Sequence, residues 1–315
     1  MTTYIFRKIG SMLLTVFLIA ILCFSILYFS PGDPAMILLK YRNPSGGLDQ
    51  RMVEMYAEQL GVNDGFFSRF TRWLKDALHG DLGHSFKTGQ PVIKEFGDRF
   101  GCTLSLLLFA TIVSAFVGVL FGVLSLLHHN RFIDRLIRFL AVISMATPNF
   151  WVGILFLWIF AIKLKLFPPF GFNGFSSIVL PGTVLALGHT AAIVRVSKVC
   201  MLENMGCAYV STARAKGLKE SAVLARHVLK NVMLPVITIC GMNLVSIMSG
   251  STIIENIFGL PGLGNYLVSA INMKDYPVIM GFTLLMGMIV ILVNLTIDLL
   301  YCLIDPRVMY AYQER

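Results

Sequence analysis

Six long apolar stretches dominate the pattern of hydrophobic and polar positions. Each is close to the roughly 20 residues that a helix needs to cross a bilayer. They are Ile9–Phe29, Leu104–Leu127, Phe139–Ile162, Ile178–Val194, Val232–Ile254 and Val278–Tyr301. The third contains Thr147-Pro148-Asn149 and the fourth contains Pro181, so both are predicted to be kinked or partly unwound. The pattern predicts an all-α, polytopic membrane protein with six transmembrane helices.

Residues 31–100 are the only sizeable region predicted to lie outside the membrane. Within it, Asp49–Leu60 predicts a helix that Gly61 ends, and Phe66–Leu78 predicts an amphipathic helix. The apolar face of the second helix comprises Phe66, Phe67, Phe70, Trp73, Leu74, Ala77 and Leu78. This face could pack on the outer surface of the membrane, or it could help to seat a solute-binding protein.

Composition agrees with a membrane protein. The chain has 315 residues, 56% of them hydrophobic and 14% charged, whereas about a quarter of a soluble domain is charged. The first apolar stretch is too long for a signal peptide and has no clear small-x-small cleavage site, so we expect it to be retained. The six cysteines show no C-x-x-C spacing, and we expect neither a disulfide scaffold nor a zinc site.

Basic residues in the short loops predict the orientation. One set of loops and termini carries Arg7, Lys8, Arg131, Arg135, Arg138, Arg195, Lys198, Arg214, Lys216, Lys219, Arg226, Lys230, Arg307 and Arg315. The opposite short loops carry Lys163, Lys165 and Lys274. Both termini and the segment 195–231 are therefore expected in the cytoplasm. The net charge of +9 is mostly this orientation signal, and the chain has no soluble basic domain for nucleic acid.

The cytoplasmic segment after the fourth stretch carries the most specific pattern. Helix-forming residues from Ala213 to Lys216 are followed by Gly217, where a left-handed C-terminal cap is expected, and by Leu218. Glu220 then begins a second run with helical spacing. The pattern predicts a short helix, a hinge at Gly217 and a second helix that leads into the fifth stretch. From charge alone, a basic amphipathic loop resting on anionic lipid is an alternative.

This segment resembles the EAA loop of ABC importer permeases, in the form found in the dipeptide and nickel branch. The resemblance rests on Gly217, Arg226, His227 and the pair Leu234-Pro235. The family's glutamate is absent, and Ser211 stands six residues before Gly217. Any salt bridge that the family assigns to that glutamate is therefore not expected here.

Further motifs extend the resemblance over nearly the whole chain. They are Pro31-Gly-Asp-Pro34, Gly80-Asp-Leu-Gly83-x-Ser85, Thr147-Pro-Asn-Phe-Trp151, the Glu255-x-x-Phe258 and Pro261-Gly-x-Gly264 pair, Asn294, Asp298 and Asp305-Pro306-Arg307. The resemblance implies a type I ABC importer permease fold. We therefore expect a first transmembrane helix over 1–30, an extracytoplasmic region with amphipathic helices over 31–100, and a permease core with five transmembrane helices over 101–315.

The resemblance also implies partners and a role. A second permease, two cytoplasmic ABC ATPases, an extracytoplasmic solute-binding protein and membrane lipid are expected to surround the chain. The residues expected to couple it to the ATPases are Tyr209, Ser211, Thr212, Ala213, Arg214, Ala215, Lys216, Gly217, Leu218, Arg226 and His227. The chain has no G-x-x-x-x-G-K-[ST] phosphate loop. We therefore expect no catalytic residue and no cofactor, with ATP hydrolysis left to the partner subunits.

Three polar residues in or beside the apolar stretches are candidates for contact with the substrate: His189, Glu255 and Asp298. Ionisable groups at such depth are costly and are functional candidates by default. His189 is a candidate metal ligand because imidazole suits nickel. Each also has a structural interpretation: a hydrogen-bonded packing histidine, a carboxylate bonded to turn amides, or a carboxylate paired across helices.

Resemblance to nickel permeases in the run Ile253–Phe258 and in the short loop Phe167–Gly174 favours nickel, free or as a small chelate, as substrate. Import of di- or oligopeptides is the alternative. A channel or secondary transporter that works alone is a third hypothesis, although it would need no cytoplasmic docking helix and would show inverted repeats.

Overall fold

The structure is a computed structural model that describes residues 2–43 and 50–304, with side chains for residues 8, 10–43 and 50–297. Within these ranges the chain is built from α-helices, two π-helical turns and one isolated β-bridge between His84 and Pro91. The all-α prediction is confirmed. The chain divides into two compact units: residues 1–101 with 262–292, and residues 102–261 with 293–315.

The first unit contains the helices at the two ends of the chain. Its helices are α1 (Thr2–Tyr28), α2 (Pro34–Arg42), α3 (Gln50–Gln59), α4 (Phe66–Leu78), the start of α5 (Val92–Leu127), α12 (Leu263–Met273) and most of α13 (Tyr276–Ile304). Its core packs Val92 and Phe96 of α5 against Leu263 of α12 and Phe282 of α13. These contacts join segments more than 150 residues apart in the sequence, so they depend on the tertiary fold.

The aromatic face of α4 packs against α1. Phe24 of α1 makes edge-to-face contacts with Phe66 and Phe70, and its ring also lies 5.9 Å from that of Trp73. Such pairs add to the burial of apolar area that holds an amphipathic helix in place. The predicted bounds of α4 are confirmed. Phe67, next to Phe66 at the start of α4, is 77% exposed. Only part of the predicted apolar face therefore packs against the rest of the chain.

The second unit contains the remaining helices. They are α6 (Phe132–Ala146), α7 (Asn149–Phe156) with a π-helical turn (Leu157–Lys163), α8 (Ser176–Met205), α9 (Ala208–Ala215), α10 (Glu220–Val223) with a π-helical turn (Leu224–Val228), and α11 (Leu229–Ile257). Helix α8 packs against α6, α7 and α11. Close packing at Gly118 is tight enough that a Cβ built there would lie 2.6 Å from Ile193.

In the part of the chain that the structure describes, five helices are long and apolar enough to cross a membrane, or six if a bent pair counts as one span. The bent pair corresponds to the third predicted span: α6 and the helix over Asn149–Lys163 meet at an angle of 103°. Thr147 has extended backbone angles there (φ −91°, ψ 127°), as expected for a residue that precedes proline. The predicted kink is thus a full break between two helices.

The fourth predicted span differs from the expectation of local unwinding. Helix α8 runs without interruption from Ser176 to Met205 and contains Pro181. Pro181 lies in the second turn of the helix, where its missing N–H costs one intrahelical hydrogen bond without ending the helix. The span was predicted to be kinked or partly unwound at Pro181, and the prediction of unwinding was wrong.

Two helices in the first unit were not predicted. Helix α2 begins with Pro34 directly after Asp33, whose carboxylate caps the helix by accepting from the Ala35 N–H at 2.8 Å. Helix α12 follows a glycine-rich stretch that predicted only a compact turn. The predicted helix over Asp49–Leu60 is observed as α3, and Gly61 follows with φ +60°; Asp49 lies outside the described residues. The division into regions 1–30, 31–100 and 101–315 remains a prediction.

Candidate coupling site and translocation residues

Helix α9 has one buried and one exposed side. Val210 and Ala213, three residues apart and therefore on one face, are buried. The exposed residues of the segment are Tyr209, Ser211, Thr212, Arg214, Ala215, Lys216, Gly217 and Leu218. The helix is therefore anchored by two small apolar side chains and presents a mixed, mostly polar surface outward.

The hinge after α9 has the hydrogen bonds of a Schellman cap. Gly217 has φ +77°, its N–H donates to the Arg214 carbonyl at 2.9 Å, and the Leu218 N–H donates to the Ala213 carbonyl at 3.4 Å. A Cβ built on Gly217 would meet nothing within 4 Å, so the left-handed backbone alone accounts for glycine here. The predicted left-handed cap at Gly217 is confirmed.

Two side-chain bridges hold the segment on either side of the hinge. Arg214 reaches across it to Glu220, with Nη2 2.6 Å from Oε1 and Nε 3.1 Å from Oε2. The Tyr209 hydroxyl donates to the Asn204 side chain at the end of α8, and it accepts from Asn231 Nδ2 of α11 at 3.0 Å. Sequence analysis did not assign roles to Asn204, Glu220 or Asn231, because these bridges depend on how the chain turns.

The coupling segment packs into the core of the second unit. Val210 and Ala213 belong to an apolar cluster that also contains Met201 of α8, Val228 of the π-helical turn and Val232 of α11. Arg226 and His227 lie on the same π-helical turn, with Arg226 exposed and His227 half-buried. Helix α9 is therefore packed directly against residues of α8 and α11.

A buried carboxylate fixes the turn that precedes α6. Asp134 is completely buried and accepts from Lys198 Nζ at 2.5 Å, from the Asn130 N–H at 3.0 Å and from the Ser125 hydroxyl. Arg138 adds an ion pair at 3.2 Å. Because Lys198 belongs to α8, this network joins the turn before α6 to the C-terminal part of α8, which leads into α9. Sequence analysis assigned no role to Asp134, which stands in the chain as one charge in a basic loop.

His189, the first translocation candidate, is half-buried on α8, and the side chain of Asn243 of α11 lies close to its imidazole. A second amide lies nearby: Oδ1 of Asn149 lies 3.7 Å from a Cβ built on Gly188, the residue before His189. The interpretation of His189 as a hydrogen-bonded packing residue stays a prediction, with Asn149 and Asn243 as the amides near it. Asn149 and Asn243 carry a signal that sequence analysis passed over, namely an amide side chain at the break or in the middle of an apolar stretch.

Glu255, the second candidate, is completely buried near the end of α11 and accepts a hydrogen bond from the Thr103 hydroxyl of α5 at 2.8 Å. This hydrogen bond offsets part of the free-energy cost of burying a carboxylate. Asp298, the third candidate, lies in α13, but its side chain falls outside those that the structure describes. Among the described residues, no group of three or more His, Cys, Asp or Glu side chains is placed to hold a metal ion.

Two family models match the chain. The model described as "Binding-protein-dependent transport system inner membrane component" matches residues 105–310. The model described as "Binding-prot-dependent transport system membrane comp, N-term" matches residues 1–107. Together they extend over almost the whole sequence.

Curated relatives match over nearly their full length. The chain is 36% identical to the oligopeptide transport system permease protein AppB of Bacillus subtilis (strain 168), over 98% of this chain and 100% of the relative. It is 34% identical to a putative peptide transport system permease protein of Brucella abortus (strain 2308), with the same coverage. It is 32% identical to the glutathione transport system permease protein GsiC of Escherichia coli O6:H1, again with 98% and 100% covered.

The fold is similar to a solved structure of the MetNI methionine ABC transporter in an inward-facing conformation. The TM-score is 0.57 at 16% identity, and the match covers 68% of this chain and 97% of that one. At this identity the likeness shows the fold alone, which is that of an ABC importer permease.

Proposed function

Because the chain belongs to the family of binding-protein-dependent transport system inner membrane components, we propose that it lines the translocation pathway of an ATP-driven importer of di- or oligopeptides. The protein is a multi-pass inner membrane component and a permease subunit of an ABC importer. ATP hydrolysis belongs to other subunits of such importers. Family membership excludes the hypothesis of a channel or secondary transporter that works alone.

The observation that carries the substrate proposal is the near full-length similarity to permeases named for oligopeptides, peptides and glutathione. These names give no support to nickel, which sequence analysis preferred, and they favour its alternative. The side chains near the break between α6 and α7 suit peptides as well. Asn149, His189 and Asn243 offer amide and imidazole groups, which can donate to and accept from the peptide bonds of a substrate.

The exposed side of α9 is the proposed docking surface for an ATPase. Val210 and Ala213 anchor the helix in the second unit, while Ser211, Thr212 and Ala215 face outward. A short amphipathic helix can fit a partner's groove in this way. Closure of the ATPases would then move α9 together with α8 and α11, and so bias the pathway between its two states. A second permease and two ATPases complete the proposed assembly, and a solute-binding protein delivers the peptide.

The proposal is tested by uptake in a strain that lacks this gene. We expect uptake of a labelled dipeptide to be lost and to be restored by the gene on a plasmid, whereas uptake of labelled nickel is unchanged by the deletion. The substrate proposal would be contradicted if the deletion abolished nickel uptake, the plasmid restored it, and dipeptide uptake was unaffected throughout. His189→Gln, which keeps a hydrogen-bonding side chain, should restore dipeptide uptake better than His189→Ala.

A further inference from the structure

The first unit contains a cavity of about 620 Å³ between α1, α4, the start of α2 and the start of α13. This volume lies within the range of about 300–1,000 Å³ that is common for small-molecule sites. The cavity, which we call the α1–α4 cavity, is separate from the coupling segment and from the translocation candidates, all of which belong to the second unit. Nothing in the proposed transport cycle requires it.

The floor of the α1–α4 cavity is apolar and belongs to membrane spans. Phe24 and Leu27 lie in the last turns of the first span, and Met280 lies in the first turns of the span that begins at Tyr276. The cavity is thus at one end of both spans, at the level where the hydrocarbon of a bilayer gives way to headgroups. Charge bias predicts that this end faces the outside.

The upper wall carries charges of both signs. Arg69 and Arg72 of α4 line it, and so do Asp33 and Asp76. The Arg69 guanidinium lies 5.2 Å from the centre of the Tyr28 ring. Burial lowers the pKa of the Arg69 guanidinium from its ordinary value, which means that this cation has lost part of its hydration and would gain from an anionic partner. Arg72 is paired with Asp64 at 2.6 Å and the Asp33 carboxylate caps α2, so Arg69 and Asp76 are the charges that a ligand carrying both signs would engage most directly.

Two buried donors in the wall require an acceptor. The Tyr276 hydroxyl and Trp73 Nε1 have no hydrogen-bond partner among the described residues, and Tyr276 as a whole is only 7% exposed. Buried tyrosine and tryptophan side chains usually find a partner. Both atoms are buried beneath the cavity wall. The indole N–H can only donate, so a small shift of these side chains toward the cavity would let a ligand oxygen such as an ester carbonyl accept from them.

The helices that border the cavity, α1 and α4, also carry exposed apolar side chains. Phe29 at the end of α1 is 76% exposed, and Phe67 and Leu78 at the two ends of α4 are 77% and 79% exposed. Aromatic side chains at the end of a membrane span are typical of the interface between lipid and water. A ligand that reaches this cavity through its apolar surroundings comes from the membrane, which favours a lipid over a soluble molecule.

We propose that the α1–α4 cavity binds a zwitterionic glycerophospholipid with a primary amine. In this arrangement the phosphate faces Arg69 and Arg72, and the ammonium group faces Asp33 and Asp76. The upper part of an acyl chain lies over Phe24 and Leu27, and the ester oxygens accept from Trp73 and Tyr276. Because the membrane side supplies the ligand, the site would tie the first unit to the lipid that surrounds it.

The test is native mass spectrometry of the full-length permease in detergent, with phosphatidylethanolamine or phosphatidylglycerol added at equal concentration. We expect one tightly retained phosphatidylethanolamine, and retention of phosphatidylglycerol that is weaker by about tenfold, because its headgroup has hydroxyl groups but no cation to pair with the carboxylates. Arg69→Gln should weaken the retained phosphatidylethanolamine by about tenfold. Lys75→Gln removes a charge from the exposed side of the same helix and should change nothing.

Tyr276→Phe provides a second variant that keeps the aromatic ring and removes only the hydroxyl group. It should weaken retention by about threefold, the effect of one neutral hydrogen bond. Equal retention of the two lipids, or equal loss of lipid in Arg69→Gln and Lys75→Gln, would overturn the proposal. Displacement of the lipid by dialanine at millimolar concentration would also overturn it, since the cavity would then be a peptide site.

Discussion

The turns that follow α9 and α12 have the same hydrogen-bond pattern, but the first ends on an exposed residue and the second on a buried one. After α9, Gly217 and Leu218 donate to Arg214 and Ala213; after α12, Lys274 and Asp275 donate to Ile271 and Ala270. In both turns the first of these residues has a left-handed backbone, with φ +77° at Gly217 and φ +56° at Lys274. The same cap is therefore built once with glycine and once with a residue that adopts this conformation at a cost.

The surroundings explain the difference. Leu218 is exposed, whereas Asp275 is only 2% exposed. The Asp275 carboxylate accepts from the Ser85 hydroxyl at 2.6 Å, from the Phe86 N–H at 3.1 Å and from the Lys87 N–H at 3.3 Å. The turn after α12 is thus held by its own chain, which can compensate for a strained backbone. The turn after α9 is spanned by the exposed pair Arg214–Glu220 rather than by a buried network, so its shape depends mainly on glycine and its surface stays open for a partner.

The largest effect is expected from removing the buried carboxylate. Asp275→Ala leaves three donors unsatisfied and should lower the free energy of unfolding by about 3 kcal/mol or more. Ser85→Ala, which removes one donor to the carboxylate and the acceptor of the Thr88 N–H, should cost less, about 1–2 kcal/mol. Unfolding of the detergent-solubilised protein measures both values. If Asp275→Ala is no less stable than Ser85→Ala, the network does not hold the turn.

The next effect concerns the open turn. Gly217→Val forces a β-branched residue into a left-handed backbone, which such residues tolerate badly. We expect dipeptide uptake to fall by about tenfold or more while the protein remains inserted in the membrane. Gly217→Asn is the matched control, because asparagine adopts this conformation more easily than other residues. The hinge would lose its role if both variants transported equally well.

A smaller gain in stability is expected at the equivalent position after α12. Lys274→Gly removes the cost of a left-handed lysine, and it should raise the free energy of unfolding by up to about 1 kcal/mol. The weak bond from Lys274 Nζ to the Pro31 carbonyl, at 3.4 Å, is lost and offsets part of the gain. Lys274→Ala separates the two contributions, since it loses the bond and keeps the strain. A stability of Lys274→Gly below that of Lys274→Ala would show that the backbone is not strained.

The smallest effect is expected from the ion pair that spans the hinge. Arg214 and Glu220 are both exposed, and exposed pairs contribute little because water screens them. Arg214→Gln should leave the unfolding midpoint unchanged and alter dipeptide uptake by less than about twofold. A loss comparable to that of Gly217→Val, seen in Arg214→Gln but not in Glu220→Gln, would instead indicate that Arg214 contacts the ATPase directly.

Sequence alone determined the features that depend on local or periodic patterns. The apolar stretches predicted the membrane helices, the amphipathic pattern predicted α4 from Phe66 to Leu78, and Gly217 was correctly expected to be left-handed. A helix, its cap and its breakpoint are encoded within a few turns of chain. For the same reason Thr147-Pro148 could be recognised as the place where the third span is interrupted.

Only the tertiary structure decided which polar groups meet. Ser85 and Asp275 are 190 residues apart, and Thr103 and Glu255 are 152 residues apart, so no local pattern pairs them. The angle of 103° at Thr147-Pro148 was equally beyond sequence analysis, because a proline ends a helix but the packing of both helices sets their direction. Lys274 shows the limit most clearly: its left-handed backbone contradicts local propensity and exists because distant segments satisfy the carboxylate beside it.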